Sequence, residues 1–490
     1  MNGACVYNDQ DMDGIPDDQD NCPANANADQ IDTDNDNIGD ACDSTPFGPM
    51  TTYYRDADGD TYGDPSQTTE SYNQPAGYVT NADDCDDTNP NLNLANCQPQ
   101  GFAAITWGSS IWGGDSSAVA NELSSGVVEV IMAPTGGAAI KSDGSVVSWG
   151  QPANSMTQST LNQLTSGVVS VYHTESAFAA LKSDGSVVTW GNSNSGGDSS
   201  AVSSQLSSGV TEIYSTTGSF AALKSNGAVV TWGGGLDTSS VSTQLSSGVI
   251  SITPSSCAFS ALKSDGSVVS WGPYDCGGDN SAYPTELSTG VVSIFSNDYS
   301  FAALKSDGSV VSWGKHTDGG ELGVNGYDSQ IASELNSGVV EIFSSSNAYA
   351  AVKSDGSVVT WGNANGGGDS TTASAQLNSA VTDIYSTYIA FAAVKTDGSV
   401  VTWGSSDYGG DSSSVSTQLS SGVVKIFSNG FSFVALKSDG SLVTWGSGTR
   451  GGYSGSVSSQ ISSGVIDVAS TAFMHAALKS DGSVVTWGES

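Results

Sequence analysis

From residue 101 to residue 490, short apolar runs recur at a fixed interval between stretches rich in Ser, Gly, Thr and Asn. One copy reads SSGVTEIYSTTGSFAALKSNGAVVTWGGG over residues 207–235; another reads SSGVVKIFSNGFSFVALKSDGSLVTWGSG over 420–448. Trp-Gly pairs begin at Trp107, Trp149, Trp190, Trp232, Trp271, Trp313, Trp361, Trp403, Trp445 and Trp487, spaced by 42, 41, 42, 39, 42, 48, 42, 42 and 42 residues. A period of this size belongs to propellers, solenoids and arrays. Each unit predicts three short strands: a GVVxIxS run such as 422–428, an FAALK run such as 178–182, and an SVVTW run. A Ser-Asp-Gly turn joins the last two, and Asp-Gly between β-prone runs predicts a hairpin with positive φ at both central positions.

The second and third strands do not alternate apolar with polar. Ala179, Ala180 and Leu181, then Val187, Val188 and Trp190, put bulk on both faces. Strands of that kind lie between two other sheets. Blades stacked face to face supply that environment, with small Ala residues permitting close approach. The stretch after each Trp-Gly, such as 192–209, is a connecting loop or a loop with a short outer strand. Its Gly-Gly-Asp brings Asp115, Asp198, Asp279, Asp369 and Asp411 to equivalent places, with Glu321 and Tyr453 replacing the acid in two units. These carboxylates either ring one face as a binding surface or cap a turn, and the turn role is the expectation.

Nine Gly-Val strands and nine turn motifs, from 141–144 to 479–482, stand against ten Trp-Gly strands. The extra strand, 102–108, lacks a hairpin partner. The fold class is therefore all-β, a propeller-like array of nine repeats, either a closed propeller with a redundant strand or an open superhelix. An irregular calcium-loop segment precedes it.

Composition sharpens the division at residue 100. Gly is 60 of 490 residues and Pro only 13, a mix that suits strands and turns over helices. Lys+Arg 13 against Asp+Glu 51 leaves a net charge of -38, which repels phosphate backbones and anionic lipid and so excludes nucleic acid as a partner. No apolar run is long enough for a membrane span, and no basic-plus-apolar signal segment opens the chain, so the expectation is that it was removed or that Met1 is not the natural start. Residues 1–100 hold 20 Asp and one Glu against a single Arg55, which leaves 30 acidic and 12 basic residues for the rest. Such a segment cannot build an apolar core.

The spacing of its acids is informative. Asp9, Asp11, Asp13, Asp17 and Asp20 stand at positions 1, 3, 5, 9 and 12 of a loop, with Gly14 at 6 and Ile15 at 7. That is the ligand spacing of a twelve-residue calcium loop, in which the residue at 7 offers its backbone carbonyl. Asp32, Asp34, Asp36, Asp40 and Asp43 repeat it, with Ile38 at 7 and Asn37 in place of the glycine. Oxygen ligands without His favour calcium over zinc or copper. DQDMDGIPDDQDNCP followed by NADQIDTDNDNIGDACD resembles the thrombospondin type 3 repeat over residues 9–43. The resemblance implies calcium ions at the structural centre of the segment, with disulfides in place of a core.

A third loop has Asp56, Asp58, Asp60 and Asp64 at 1, 3, 5 and 9 and Tyr62 at 7, but Gln67 at 12. Asp84 and Asp87, in NADDCDDTNP with Asp83 and Asp86, are placed to fold back and close it. The stretch resembles a bacterial surface-protein metal-binding repeat of the MopE type. That resemblance implies copper, whereas the ligands suit calcium. The expected cofactor is Ca2+, two to three ions or more within residues 1–100. The domains expected are 1–50, a thrombospondin type 3-like segment; 51–100, the metal-binding motif; and 101–490, the repeats.

Seven cysteines fit an oxidising compartment. The expected pairs are Cys5 with Cys22, Cys85 with Cys97 and Cys257 with Cys276, leaving Cys42 for another chain or as a free thiol. The unit ALKSDGSVVTWGNSNSGGDSS resembles the regulator-of-chromosome-condensation repeat, which implies a β-propeller fold across 101–490. The nucleotide-exchange and chromatin role of that family needs basic surfaces, which this chain lacks.

No catalytic constellation is legible. His173, His316 and His475 fall at non-equivalent places, and no nucleophile elbow, phosphate loop or metalloprotease motif occurs. The expectation is a non-enzymatic, extracellular or cell-surface protein with a calcium-stabilised stalk presenting the array to a protein or glycan. Variable-loop aromatics (Tyr274, Tyr283, Tyr327, Tyr408, Tyr453) are candidate contacts. The alternatives are a secreted enzyme or enzyme inhibitor, with the insert 315–328 marking the site, or a self-assembling extracellular filament joined through the 102–108 strand or Cys42.

Overall fold

The computed structural model describes residues 9–32, 38–43, 51–57, 59, 61–71, 74–81, 102–104, 106, 114–234, 236–322 and 329–488. It divides into two compact units, Met1–Pro99 and Gln100–Ser490.

In the first unit, residues 9–43 are turns and bends held by side-chain oxygens. A small antiparallel sheet follows, with β1 (Thr51–Arg55) between β2 (Asp64–Ser71) and β3 (Tyr78–Val79). Cys22 and Tyr53 are its buried apolar residues among those described, so this unit has no extended core.

The second unit contains nine antiparallel three-stranded blades, each with its middle strand second in sequence. Blade two is Val168–His173, Ala177–Lys182 and Val187–Gly191; blade eight is Val423–Ser428, Ser432–Lys437 and Leu442–Gly446. In every blade the first strand carries a bulge after its first residue, as between Val210 and Glu212. The middle strands are buried on both faces: Ala177, Phe178, Ala179 and Ala180 are all fully inaccessible. Phe178, Ala180 and Trp190 pack with Ala138 and Ile140 of blade one. On the opposite face, Ala177, Ala179 and Leu181 pack with Ile213, Phe220 and Trp232 of blade three. The hydrophobic core is thus a series of layers, each shared by two consecutive blades, and stability is a sum of neighbour terms.

The hairpin turn differs from expectation. Only its glycine has positive φ, as at Gly185 (75°), while Asp184 does not. The Gly185 amide donates to Lys182 O (2.8 Å) and the Lys182 amide to Ser186 O (2.9 Å), a three-residue turn ending in a glycine bulge. Asp184 Oδ1 accepts from the amide and hydroxyl of Ser186 (2.9 and 2.6 Å), which fixes the turn and lowers the Asp184 pKa. The stretches after Trp-Gly form short 3-10 turns, two in most units, such as Ser193–Ser195 and Ser200–Val202, and a one-and-a-half-turn α-helix in two, Gln158–Gln163 and Ser329–Glu334, with no outer strand among the described residues.

The extra strand has a definite place. Phe102 exchanges both backbone bonds with Val127 (2.7 and 3.0 Å), and the Ala104 amide donates to Leu123 O (2.9 Å). Gly144 and Val146 stand in the same relation to Val168 and Leu164 one blade later. Phe102 and Ala104 therefore occupy the third-strand position of a blade preceding the first. At the other end, Leu478 is 39% exposed where its equivalent Leu436 is 8% exposed, so no blade among the described residues covers the far face of blade nine.

Candidate calcium centre and the groove of the repeats

The first loop draws its acids together. Carboxylate oxygens of Asp9, Asp11 and Asp13 lie within 4.8 Å of one another. Asp9 accepts from the amides of Met12 (2.8 Å) and Gly14 (3.2 Å), Asp13 from those of Ile15 (2.9 Å) and Asn27 (2.7 Å), and Asp17 from that of Gln10 (2.7 Å). Met12 (φ 63°) and Gly14 (φ 97°) turn the chain through the left-handed region that this wrapping needs. Asp20 accepts from the Cys22 amide and Gln30 Nε2 through Oδ1. The second oxygens of Asp11 and Asp20 are buried without a hydrogen-bond partner. Burial, reinforced by the charges of Asp13, Asp20 and Asp9, raises the Asp11 pKa. Buried, convergent carboxylate oxygens without protein donors are what a hard divalent cation satisfies. The residues present fit calcium.

Of the second loop, Asp32, Ile38, Asp40 and Asp43 are described, whereas Asp34 and Asp36 lie outside the described residues. This loop folds back on the first: the Gly39 amide donates to Asn21 O (3.0 Å) and the Asp40 amide to Ile31 O (2.8 Å). The return carries Cys42 to Cys22, and the two form a disulfide with Cα atoms 5.7 Å apart. The expected Cys5–Cys22 pair is therefore wrong, and Cys42 is not left over. Pairing by nearness in sequence ignored the backbone bonds that lay one loop on the other. Cys5, Cys85 and Cys97 lie outside the described residues.

The third loop repeats the first one's turn. Asp56 accepts from the amides of Gly59 (2.7 Å) and Thr61 (3.2 Å), the same relative positions as Met12 and Gly14. Both have positive φ, 82° and 77°. Asn81 folds back across it, donating to Thr61 O (2.9 Å) and accepting from the Gly63 amide (3.3 Å). Gln67, at the closing position, donates to Asp64 Oδ2 (3.0 Å). Tyr62 is half-buried, and Asp58, Asp60, Asp84 and Asp87 lie outside the described residues.

In the repeats, the Gly-Gly-Asp carboxylates cap turns. Asp198 accepts from the Ser200 amide (2.9 Å) and Asp411 from that of Ser413 (2.8 Å), and these backbone bonds hold both carboxyls below the usual range. The repeated lysine is structural as well: in all nine blades its Nζ donates to a carbonyl nineteen residues earlier, as Lys353 to Glu334 O (2.7 Å). Three of the 12 basic groups remain. Each sits over a ring: Lys315 on Tyr299 (4.6 Å), Lys425 on Phe427 (4.5 Å) and Arg450 on Phe431 (3.9 Å).

The ends of the first strands in blades three to eight line a polar groove of about 550 Å3, with Thr217, Ser256, Asp298, Ser346, Tyr388 and Gly430 in its wall. Backbone bonds of 2.8–3.1 Å run along this wall, each amide donating to the next blade's carbonyl from Glu175 through Thr217, Ser256, Asp298, Ser346 and Tyr388 to Gly430. Ser296, Ser344 and Ser386 hydroxyls donate to Pro254, Ser296 and Ser344 carbonyls, again across blades. Burial raises the Asp298 pKa, while hydrogen bonds from Ser346 and Ser256 oppose the shift.

One pair of repeat positions varies in chemistry. The residue opening the middle-strand turn meets the residue before Gly-Gly. It is Ser176 with Ser195 (2.9 Å) in blade two, the disulfide Cys257–Cys276 in blade four, and Phe431 with Arg450 in blade eight. Around Phe431, Tyr408 stacks at 5.2 Å, Tyr388 meets it edge-on at 5.1 Å, and Phe473 lies at 5.6 Å. Of this cluster only Tyr408 is among the expected contacts. The signal for the rest was an aromatic residue at this position in two successive units, Phe431 and Phe473, where the others hold a mixed set that includes Ser176, Gly218, Tyr299 and Ile389. Tyr274 is exposed and donates to Glu321 (3.1 Å), Tyr453 is exposed, Tyr283 packs under blade five, and Tyr327 lies outside the described residues.

The histidines form no catalytic pair. His475 is buried where most blades have Phe, with its ring nitrogens 2.7 Å from Ser470 Oγ and 2.9 Å from Ser432 Oγ, and burial lowers its pKa to about 4. His173 Nδ1 meets its neighbour's carbonyl Thr174 O, and His316 lies beside Glu321. Among the described residues, no helix is long and apolar enough to cross a membrane.

Residues 3–30 match the thrombospondin type 3 repeat family. No curated protein matches the chain. Among solved structures, the chain is similar to the CRINKLY WD40 ectodomain of an Arabidopsis thaliana receptor kinase, at 16% identity over 55% of this chain and 93% of that one, TM-score 0.31. It is similar to Prp20p of Saccharomyces cerevisiae at 15% identity over 58% and 72%, TM-score 0.31. The computationally designed protein Ika8 is also similar, at 14% identity over 66% and 96%, TM-score 0.27.

Proposed function

We propose that this is an extracellular or cell-surface calcium-binding protein whose metal loops stabilise residues 9–64 and whose nine-blade array binds a protein or glycan. The observation that carries the calcium reading is the pair of buried, partnerless oxygens on Asp11 and Asp20 within a loop whose acids have calcium spacing. Asp9, Asp11, Asp13, Asp17, Asp20 and the carbonyl of Ile15 would hold one ion, the corresponding residues of the second loop another, and the Asp56 loop a third. The Cys22–Cys42 disulfide in a segment with almost no core supports an oxidising compartment.

In the array, the aspartates of the Ser-Asp-Gly and Gly-Gly-Asp motifs and nine of the lysines serve turns, so binding falls to the groove and the variable turn positions. Calcium titration of the full chain, followed by calorimetry with and without chelator, tests this reading. Two to three ions per chain, with a chelator-sensitive minor transition and an unaffected major one, is the expected result. No calcium binding, or loss of both transitions together on chelation, rejects it.

A further inference from the structure

The aromatic cluster around Phe431 is not required by the fold. The rings that build the core are the stacked pairs inside the blades, such as Phe433 with Trp445. At the Phe431 and Phe473 position other blades have residues as different as Ser176, Gly218, Tyr299, Asn347 and Ile389, and those blades fold alike; only here do aromatic residues fall in two successive blades. Yet here Tyr388 is 48% and Phe473 44% exposed, with Phe431 and Arg450 half-buried between them. Gly430 makes the arrangement feasible, because a Cβ there would run into the Tyr388 ring. The guanidinium is 3.9 Å from the Phe431 centroid and 5.2 Å from that of Phe473, and no carboxylate pairs with it among the described residues.

This aromatic shelf is continuous with the groove, because Tyr388 and Gly430 belong to both. The groove offers hydroxyls rather than apolar walls. Ser296, Ser344 and Ser386 spend their protons on neighbouring carbonyls, which leaves their oxygens as acceptors. An aromatic face is electron-rich and attracts the weakly positive C–H groups of a pyranose ring. The hydroxyls of that ring would donate to the serines and accept from Arg450. A protein partner would favour a dry, enclosed apolar pocket at this hot spot. The net charge of -38 disfavours a polyanion.

We propose that the shelf of Tyr388, Phe431, Phe473 and Arg450, with the adjoining groove, binds a neutral polysaccharide; this rests on the reading of the array as a binding surface. The test is calorimetric titration of the calcium-loaded full chain with neutral hexasaccharides of β-1,4-glucan, mannan and xylan, and with a hexagalacturonate. At least one neutral hexasaccharide binds saturably, and replacing Tyr388→Ala with Phe473→Ala weakens it by about tenfold or more at an unchanged thermal transition. Arg450→Tyr, which installs the residue found at the same position one blade earlier, also weakens it. Binding of the galacturonate alone, binding of no saccharide, or binding indifferent to these substitutions overturns the proposal. Sugar binding by a chain that takes up no calcium would reject the calcium reading and leave this one standing.

Discussion

The indole Nε1 of Trp445 donates to the carbonyl of Gly409, 3.0 Å away and one blade earlier. The same bond links Trp232 to Gly196, Trp403 to Gly367 and Trp487 to Gly451. It explains two recurring features of the repeat at once, because the first glycine of each Gly-Gly presents its carbonyl from a positive φ, 96° at Gly409. A side chain there would strike the next blade's Phe ring, as Gly409 would strike Phe433. Trp190, Trp271 and Trp361 do not follow this pattern. Trp190 donates instead to Ser148 Oγ (3.0 Å), because the stretch before it holds no Gly-Gly. Trp271 follows the unit with the 39-residue spacing, which has no equivalent loop, and Trp361 finds the Gly319 carbonyl already taken by Ser312 Oγ.

Trp445→Phe removes a made bond, whereas Trp271→Phe removes an indole N–H that has no hydrogen-bond partner. Both shrink the side chain alike, so their difference isolates the hydrogen bond. In denaturant titrations Trp445→Phe is expected to cost about 1 kcal/mol more than Trp271→Phe. Equal costs would show that the bond contributes nothing.

Acid should loosen the last blade first. Burial lowers the His475 pKa to about 4 from its ordinary 6.5. A group with a depressed folded pKa that must stay neutral contributes fully above about pH 6.5, and its contribution falls as the pH drops towards 4. His475 faces Ser470, Ser432, Asn429 and Trp487, none of which titrates in this range. His475→Phe, the residue of most other blades, is expected to flatten the stability profile between pH 6.5 and 4. A profile unchanged in that window would assign the acid sensitivity elsewhere.

Removing the disulfide should affect metal more than fold. In Cys42→Ser the second loop is no longer clamped to Cys22, so calcium affinity falls while the major thermal transition of the repeats stays in place. Titration of wild type and variant side by side checks it, and a shift of the major transition would contradict it.

Loss of a lysine cap should be small and additive. Lys353→Met removes the bond to Glu334 O, and Lys437→Met the bond to Gln418 O two blades on. Each is expected to cost about 1 kcal/mol, with the pair additive because the sites share no partner. A double variant much worse than the sum would reveal coupling across blades.

The strands, their number and the burial of the middle ones on both faces were legible because Ala179, Val188 and Trp190 repeat at fixed spacing. The third strands, expected to be buried alike, instead alternate buried Val188 and Trp190 with half-buried Val187 and Thr189. The turn was half legible: Asp-Gly marks a hairpin, but the extra serine makes it a three-residue turn in which Gly185 alone takes positive φ. The Cys22–Cys42 bond was not legible, since it depends on how two metal loops lie on each other. Likewise the Phe431 cluster gathers residues from three blades, and no spacing within one unit can bring Tyr388, Arg450 and Phe473 together.

The backbone bonds from Glu175 to Gly430 all point the same way. Residues about 40 apart in sequence thus do what successive turns of a helix do, with one bond per blade. Such a series gives the array a mechanical grain. Traction that separates neighbouring blades loads these links one after another, and each failure releases one repeat of chain. A pull applied between blade two and a ligand held near blade eight would cross this whole series, so the array would yield in steps of about one repeat and absorb work before it lets go.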